Sequence, residues 1–386
     1  MAKRILMILN NPYTYDPRVS SEAESLLDAG YEVKVISWDK SRRYPLRENI
    51  NGVDVFRIRI PIIFDKIFPF EILKVSLWQV LAYKFALKMY QMWKFDIVHV
   101  HDWPDLPPGV WLKKRLGVKL IYDSHEVWTY MVFTRGFPLW LNEVIWRERA
   151  LIKHVDALIT VGGGYKKYFI RYCPRVELVL NAKPRMNKWI RPPTVPLKIV
   201  YIGGFDKERC ILELLRAFDT LGIDNFEAIF AGPPTAGITS VIERYSKRNK
   251  AVRYLGLIPK DDVLKRTMDG SVIYFVFRNM VPLYKIGMPN KLFEAMSVGR
   301  MALAGAGTES GKFVQEYKIG LAVECDENEL RDVLRYLTEN PKIIIKFGKR
   351  AYSVSEKYNW KTEFRNLLRI YHDLSNSRRE LHETHP

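Results

Sequence analysis

Residues 183–215 read KPRMNKWIRPPTVPLKIVYIGGFDKERCILELL, and the change of character inside this stretch decides the architecture. The part up to Leu197 holds Pro184, Pro192, Pro193 and Pro196 and no hydrophobic period, which marks a linker. From there the pattern restarts as a strand, Leu197–Ile202, a Gly203-Gly204 turn and a helical run from Ile211. Working outward, strand-like runs precede the linker at Arg4–Leu9, Glu32–Ser37, Val53–Arg59, Ile97–Val100, Lys119–Tyr122, Ala157–Val161 and Val176–Leu180. Helix-like segments separate several of them: Arg18–Ala29, Ile72–Trp93, Leu106–Leu116 and Leu139–His154. After the linker the same alternation carries strands to Gly320–Glu324 and helices to Lys361–Leu374. Continuous apolar strands between helices predict parallel sheets with helices on both faces. The expected fold is therefore α/β: two doubly wound Rossmann-like domains facing across a cleft, over 1–185 and 198–358, joined by a Pro-rich linker at 186–197. A polar tail is expected over 377–386. Sheets of this kind bind ligands beyond their strands' carboxyl ends.

Charge limits the partners. Lys and Arg number 61 against 43 Asp and Glu, a net +18. That excess calls for an anionic surface, a polyanion or a phosphorylated ligand. It is steepest over residues 151–200, with ten basic and two acidic side chains. Cys173, Cys210 and Cys325 form no CxxC, so neither a disulfide framework nor a zinc site is expected, and a reducing compartment is. The opening apolar run is too short for a signal peptide, and no segment is long enough to span a membrane. The expected location is cytoplasmic, with room for peripheral attachment to the membrane's cytoplasmic face. Trp78, Trp93, Trp128, Trp140 and Trp146, with Phe68, Phe70, Phe133 and Phe137, lie among cations, a composition that suits an anionic membrane interface. The other reading is that these are ordinary core helices.

Several turns carry candidate chemistry. No glycine precedes Gly30, so the first strand's loop, NNPYTYDPRV, is not a dinucleotide fingerprint. Arg18 and the helix start beside it can hold an anion, or Asp16 caps that helix and Arg18 is solvated. His101 in HVHDW and His125 in YDSHE follow strand ends, flanked by Asp102, Asp123 and Glu126. His125 is expected to act on a reacting group and His99 to pack. Gly203-Gly204 with Lys207 and Arg209 makes a phosphate cradle. Lys291 in the first turn of a helix opening PNKLFEAM opposes the helix dipole, which an anion there would explain. Glu294 can then accept from ribose hydroxyls, or simply pair with Lys291. No DxD and no metal-ligand spacing occurs.

Taken in order, DPRVSSEAESLLDAGYEVKVIS, DIVHVHDWPDLPPG, LIYDSHE, YIGGFDKERCILELLRAF, FAGPP, YLGLIP and PNKLFEAMSVG resemble glycosyltransferase family 4, of GT-B architecture, over nearly the whole chain. The resemblance implies a retaining, metal-independent transfer from a nucleotide-diphosphate sugar to a glycan or lipid-linked acceptor, with no cofactor. It implies a C-terminal helix over 359–376 returning to the first domain. By position it makes His125, Lys291 and Arg209 catalytic. Gly203, Gly204, Arg209, Gly256, Leu257, Asn290, Lys291, Leu292 and Glu294 become donor-binding. Asn11, Arg18, His101, Asp102 and Glu126 fall on the acceptor side. Ile286 stands where the family has the first Glu of its E-x7-E motif, and Gly204 where many members have Arg. The rival readings are a nucleotide-sugar epimerase of the same plan and a basic non-catalytic protein binding glycan or nucleic acid. For the latter no recognised nucleic-acid module occurs, and no nucleic-acid partner is expected.

Overall fold

The computed structural model describes residues 3–14, 16–61, 71–134, 138–221, 226–235 and 237–383. The chain divides into two compact units, Met1–Val179 with Phe364–Pro386, and Leu180–Glu363.

The first unit holds β1 (Arg4–Leu9), β2 (Glu32–Trp38), β3 (Arg47–Ile50), β4 (Val53–Ile58), β5 (Ile97–His101), β6 (Lys119–Ser124), β7 (Ala157–Thr160) and β8 (Val176–Leu178). They lie in the order β3-β4-β2-β1-β5-β6-β7-β8. Every pairing is parallel except β3 with β4. β1 is buried from Ile5 to Leu9 because helices cover both faces, which is why it reads as an unbroken apolar run. The β3–β4 hairpin is absent from the expected elements. Its turn is Asn51-Gly52, both at positive φ, the pair that a tight two-residue hairpin favours. The helix Pro17–Asp28 starts where Asp16 accepts from the N–H groups of Arg18 and Val19, with proline in its first turn.

The second unit holds β9 (Leu197–Ile202), β10 (Phe226–Ala231), β11 (Val252–Tyr254), β12 (Val272–Phe275), β13 (Met301–Gly305) and β14 (Gly320–Val323). Their order is β11-β10-β9-β12-β13-β14, all parallel. Strand order reverses between β1 and β5 in the first sheet and between β9 and β12 in the second. A crevice opens at such points, and the candidate residues of each unit follow these strands. Two doubly wound sheets are thus present, as the alternation implied. The last helix runs Trp360–Glu383, past the expected Leu374, and the residues from Phe364 belong to the first unit.

The cysteine expectation fails. Cys210 and Cys325 form a disulfide with Cα atoms 5.7 Å apart across 115 residues. One cysteine opens the helix Ile211–Leu221 and the other follows β14, so the sheet joins what linear spacing keeps apart. The inference of a reducing compartment loses its basis. Cys173 is buried and free.

Candidate functional site

In the second unit the site is built on the turn after β9. Gly203 has φ +146, a conformation that favours glycine. A Cβ there would meet Lys291 Nζ at 2.6 Å, and one on Gly204 would meet nothing within 4 Å. The turn therefore opens on one side and carries a lysine on the other. Arg209 is fixed by neighbours from separate elements. Its Nε donates to Asp206 Oδ2 at 2.6 Å, Nη1 to the Tyr201 hydroxyl at 3.3 Å and Nη2 to the Tyr284 hydroxyl at 3.4 Å. Tyr284 also donates to Asp206 Oδ2 at 2.6 Å. Asp206, Tyr201 and Tyr284 were not singled out from the sequence. Asp206 caps the short turn Lys207–Arg209, the one local signal for it.

Lys291 sits in the first turn of the helix Asn290–Val298, whose N-cap is Pro289 with no side-chain capping bond. The lysine is 6 % exposed, with Nζ 4.6 Å from the centre of the Tyr201 ring. Among the described residues it makes no ion pair. Burial, reinforced by the Arg209 charge, lowers its pKa to about 7. The expected alternative, a surface pair with Glu294, is not formed. Both residues are buried, and Glu294 Oε1 instead faces Lys183 Nζ at 4.0 Å. Asn290 is exposed at the helix start. Leu292 is fully buried and its N–H donates to the Pro289 carbonyl, so it has no free group for a ligand. Gly256 accepts from the Gly232 N–H at 2.8 Å, and Leu257 beside it is an exposed apolar side chain.

In the first unit the strand register sets His101 beside Asp123. Arg18 reaches the same carboxylate from the helix Pro17–Asp28, Nε to Oδ2 at 2.8 Å and Nη2 to Oδ1 at 3.0 Å. Its Nη1 donates to the Val179 carbonyl, and Glu22, one turn on, lies 3.2 Å from Nε. Neither expectation for Arg18 holds: buried in this pair, it is not solvated, and its guanidinium is taken by protein oxygens. His125 lies between two carboxylates, Nδ1 at 3.5 Å from Asp102 Oδ2 and Nε2 at 3.4 Å from Asp123 Oδ2. The backbone N–H of His125 donates to Asp102 Oδ1. Burial alone would lower its pKa, but Asp102 and Asp123 outweigh that and hold it at about 10, so the imidazole is charged. It is reachable, with 18 % of its side chain exposed. His101 and His99 are not, at 2 % and 0 %. Burial keeps both below the usual histidine range. His101 is thereby removed from the groups that can touch an acceptor. Asn11 is spent on the loop, donating to Asp16 Oδ2 and accepting from the Tyr13 N–H. Glu126 closes its turn through a carbonyl that accepts from Ser124 Oγ.

Glu22, His99, His101 and Asp123 offer ligand atoms within 4.8 Å of one another, close enough to hold a metal ion. Arg18 already lies against both carboxylates and supplies the positive charge that an ion would bring.

A sequence model of the glycosyl transferase 4-like domain matches residues 15–182. Of curated proteins, the succinoglycan biosynthesis protein ExoL of Rhizobium meliloti (strain 1021) is 27% identical over 156 residues, 39% of this chain. The match spans 38% of ExoL's length. Sucrose-phosphate synthase from Thermosynechococcus elongatus has a similar fold, with TM-score 0.75 and 16% identity over 97% of this chain and 100% of that one. HepE from Anabaena, solved with UDP and glucose, aligns with TM-score 0.72 and 12% identity over 96% of this chain and 100% of its own. The glycosyltransferase resemblance read from the motifs and the GT-B fold are both borne out.

The first unit corrects the aromatic expectation in part. Trp78 is fully buried, stacked on Trp38 at 5.6 Å, and donates to Asp105 Oδ1 at 2.7 Å. Trp93 is also buried, donating to Glu32. Trp146 is exposed and Trp128 half-buried. Phe68, Phe70 and Phe137 lie outside the described residues, as do the side chains of Phe133 and Trp140.

Proposed function

We propose that the chain is a glycosyltransferase that moves a sugar from a nucleoside-diphosphate sugar to a glycan or lipid-linked acceptor, with retention and without a metal. One observation carries this: Arg209 and Lys291, which makes no ion pair among the described residues, converge on the open Gly203-Gly204 turn at the reversal of the second sheet. Breaking the anomeric C–O bond builds negative charge on the departing diphosphate. Two fixed cations and an uncapped helix start are placed to stabilise that charge as it forms. With the diphosphate neutralised by Lys291 and Arg209, no divalent ion is required. The leaving phosphate oxygen takes the acceptor's proton on the face it departs from, which gives retention. Glu294 accepts from the ribose, the backbone at Gly256 and Leu257 meets the base, and His125, charged and partly exposed, positions the sugar.

The similarity to ExoL, named for succinoglycan biosynthesis, and to HepE, solved with UDP and glucose, supports this substrate class. The described helices include none long and apolar enough to cross a membrane. A peripheral site on the cytoplasmic face is supported by the helix Glu71–Met92. Leu73, Val80, Lys84, Lys88 and Met92 are all exposed and recur at helical spacing. A thermal-shift screen of UDP-, GDP-, ADP- and dTDP-sugars tests the function. Stabilisation by one nucleoside class, lost in the K291A/R209A double variant, is expected. Failure of every nucleotide sugar to stabilise the chain overturns it.

A further inference from the structure

His99, Glu22 and Tyr371 are buried groups of the first unit that have no part in that mechanism. Tyr371 lies on the last helix, fully buried, with its hydroxyl 2.8 Å from His99 Nδ1. The other ring nitrogen, Nε2, is buried, has no hydrogen-bond partner among the described residues and lies 3.9 Å from Asp123 Oδ2. The His101 ring lies 4.3 Å from the His99 ring, and its Nδ1 is 3.7 Å from the same oxygen. With Arg18 and His125, four side chains turn nitrogens toward one carboxylate.

An ionised carboxylate only accepts. A nitrogen facing it must carry a hydrogen, since a bare lone pair there would be repelled. His99 is neutral in its buried position, so it has one ring proton, and the carboxylate draws that proton to Nε2. Nδ1 is then bare and needs a donor, and the Tyr371 hydroxyl is the group in place to donate. We propose that Tyr371 is a positioning residue: by donating to Nδ1 it fixes the Nε2–H tautomer of His99, and so keeps Asp123 surrounded by donors as the counter-ion of His125. The helix that returns to the first unit thereby sets the polarity of the histidine cluster through one hydroxyl. The groups facing the cluster are Asp16, Arg18 and Glu22 from the first helix and its cap, Asp102 and His101 from the end of β5, and Asp123 and His125 from the end of β6. Tyr31, its ring 5.7 Å from that of Tyr371, packs behind it.

The functional part rests on the reading of His125 as the group that acts on the sugar; the tautomer does not. The test is a long-range 15N–1H correlation spectrum of the full chain labelled at its seven histidines. His99, assigned by its loss in H99Q, is expected as the Nε2–H tautomer at neutral pH. In Y371F its tautomers mix, while Y31F, which changes the packing partner alone, leaves the pattern unchanged. In transfer assays Y371F lowers kcat by about fivefold, the equivalent of one net hydrogen bond, with the donor KM unchanged. The alkaline limb of its pH profile moves to lower pH as His125 loses its counter-ion's alignment. A wild-type His99 protonated at Nδ1, or doubly protonated, overturns the proposal whether or not Y371F folds. So does a Y371F protein with the wild-type tautomer and pH profile. If no nucleotide sugar is turned over, the enzymatic reading falls, and the spectrum still decides the role of Tyr371.

Discussion

Lys291 is where stability and binding should pull in opposite directions. Its stem is buried against Tyr201 and its amine has Arg209 for a neighbour and, among the described residues, no carboxylate in contact. Burial takes its pKa from 10.5 to about 7. At about 1.36 kcal/mol per pH unit, that places the charged form roughly 5 kcal/mol above its level in the unfolded chain. Deprotonation at neutral pH relieves little of this. The sign follows from the direction: the folded value lies below the unfolded one, so the penalty is full below pH 7. It fades as pH climbs through 7 toward 10.5. K291M keeps most of the stem's volume and removes the charge. After allowance for local relaxation, we expect it to stabilise the free protein by about 1–3 kcal/mol at pH 7, with the gain shrinking by pH 10. The same change removes a charge-assisted bond to diphosphate worth about 1.5–3 kcal/mol, so affinity for the nucleotide sugar should fall roughly ten- to hundredfold. Urea denaturation with and without the nucleotide measures both. A K291M protein that is less stable than wild type and binds the nucleotide equally well would refute the reasoning.

Other outcomes follow from the same geometry. R18M should cost about 3–5 kcal/mol in denaturant unfolding, because it leaves Asp123 and Glu22 buried without their cation. Nucleotide binding should be accompanied by proton uptake near pH 8, since diphosphate favours the charged form of Lys291; calorimetry in two buffers of different ionisation enthalpy reads it, and an equal heat in both counts against it. D206N should weaken nucleotide binding by loosening Arg209 while leaving Lys291 in place, a change seen as a raised donor KM. Salt-sensitive flotation with anionic liposomes should be reduced by K84E/K88E on the helix Glu71–Met92, and a wild type that does not float removes the membrane proposal.

Sequence pattern carried the architecture because buried parallel strands leave an unmistakable apolar period, and the Pro-rich break at 183–197 separated two such series. β3, and with it the hairpin to the expected β4, escaped since the strand is short and half-exposed, although Asn51-Gly52 marked the turn. Gly203, Arg209 and Lys291 were legible because each sits in a local context whose chemistry is odd without an anion. Their supports were not: Tyr201, Asp206 and Tyr284 come from a strand, a turn and a short helix that only the fold brings together. The pairing of Arg18 with Asp123 spans 105 residues, and no local pattern tells a buried guanidinium from a solvated one. Trp78 misled for a similar reason. A helix apolar on most sides does not announce which tryptophan faces inward, and the buried partner, Asp105, lies on another element.

The most direct test is hydrogen exchange on the full chain with and without nucleotide sugars of each base. We expect one nucleoside diphosphate sugar to protect the backbone amides of 203–209 and 290–294, with the protection abolished in the K291A/R209A variant. Binding without protection of either segment, or protection that survives the double variant, would contradict the claim that these two cations hold the diphosphate.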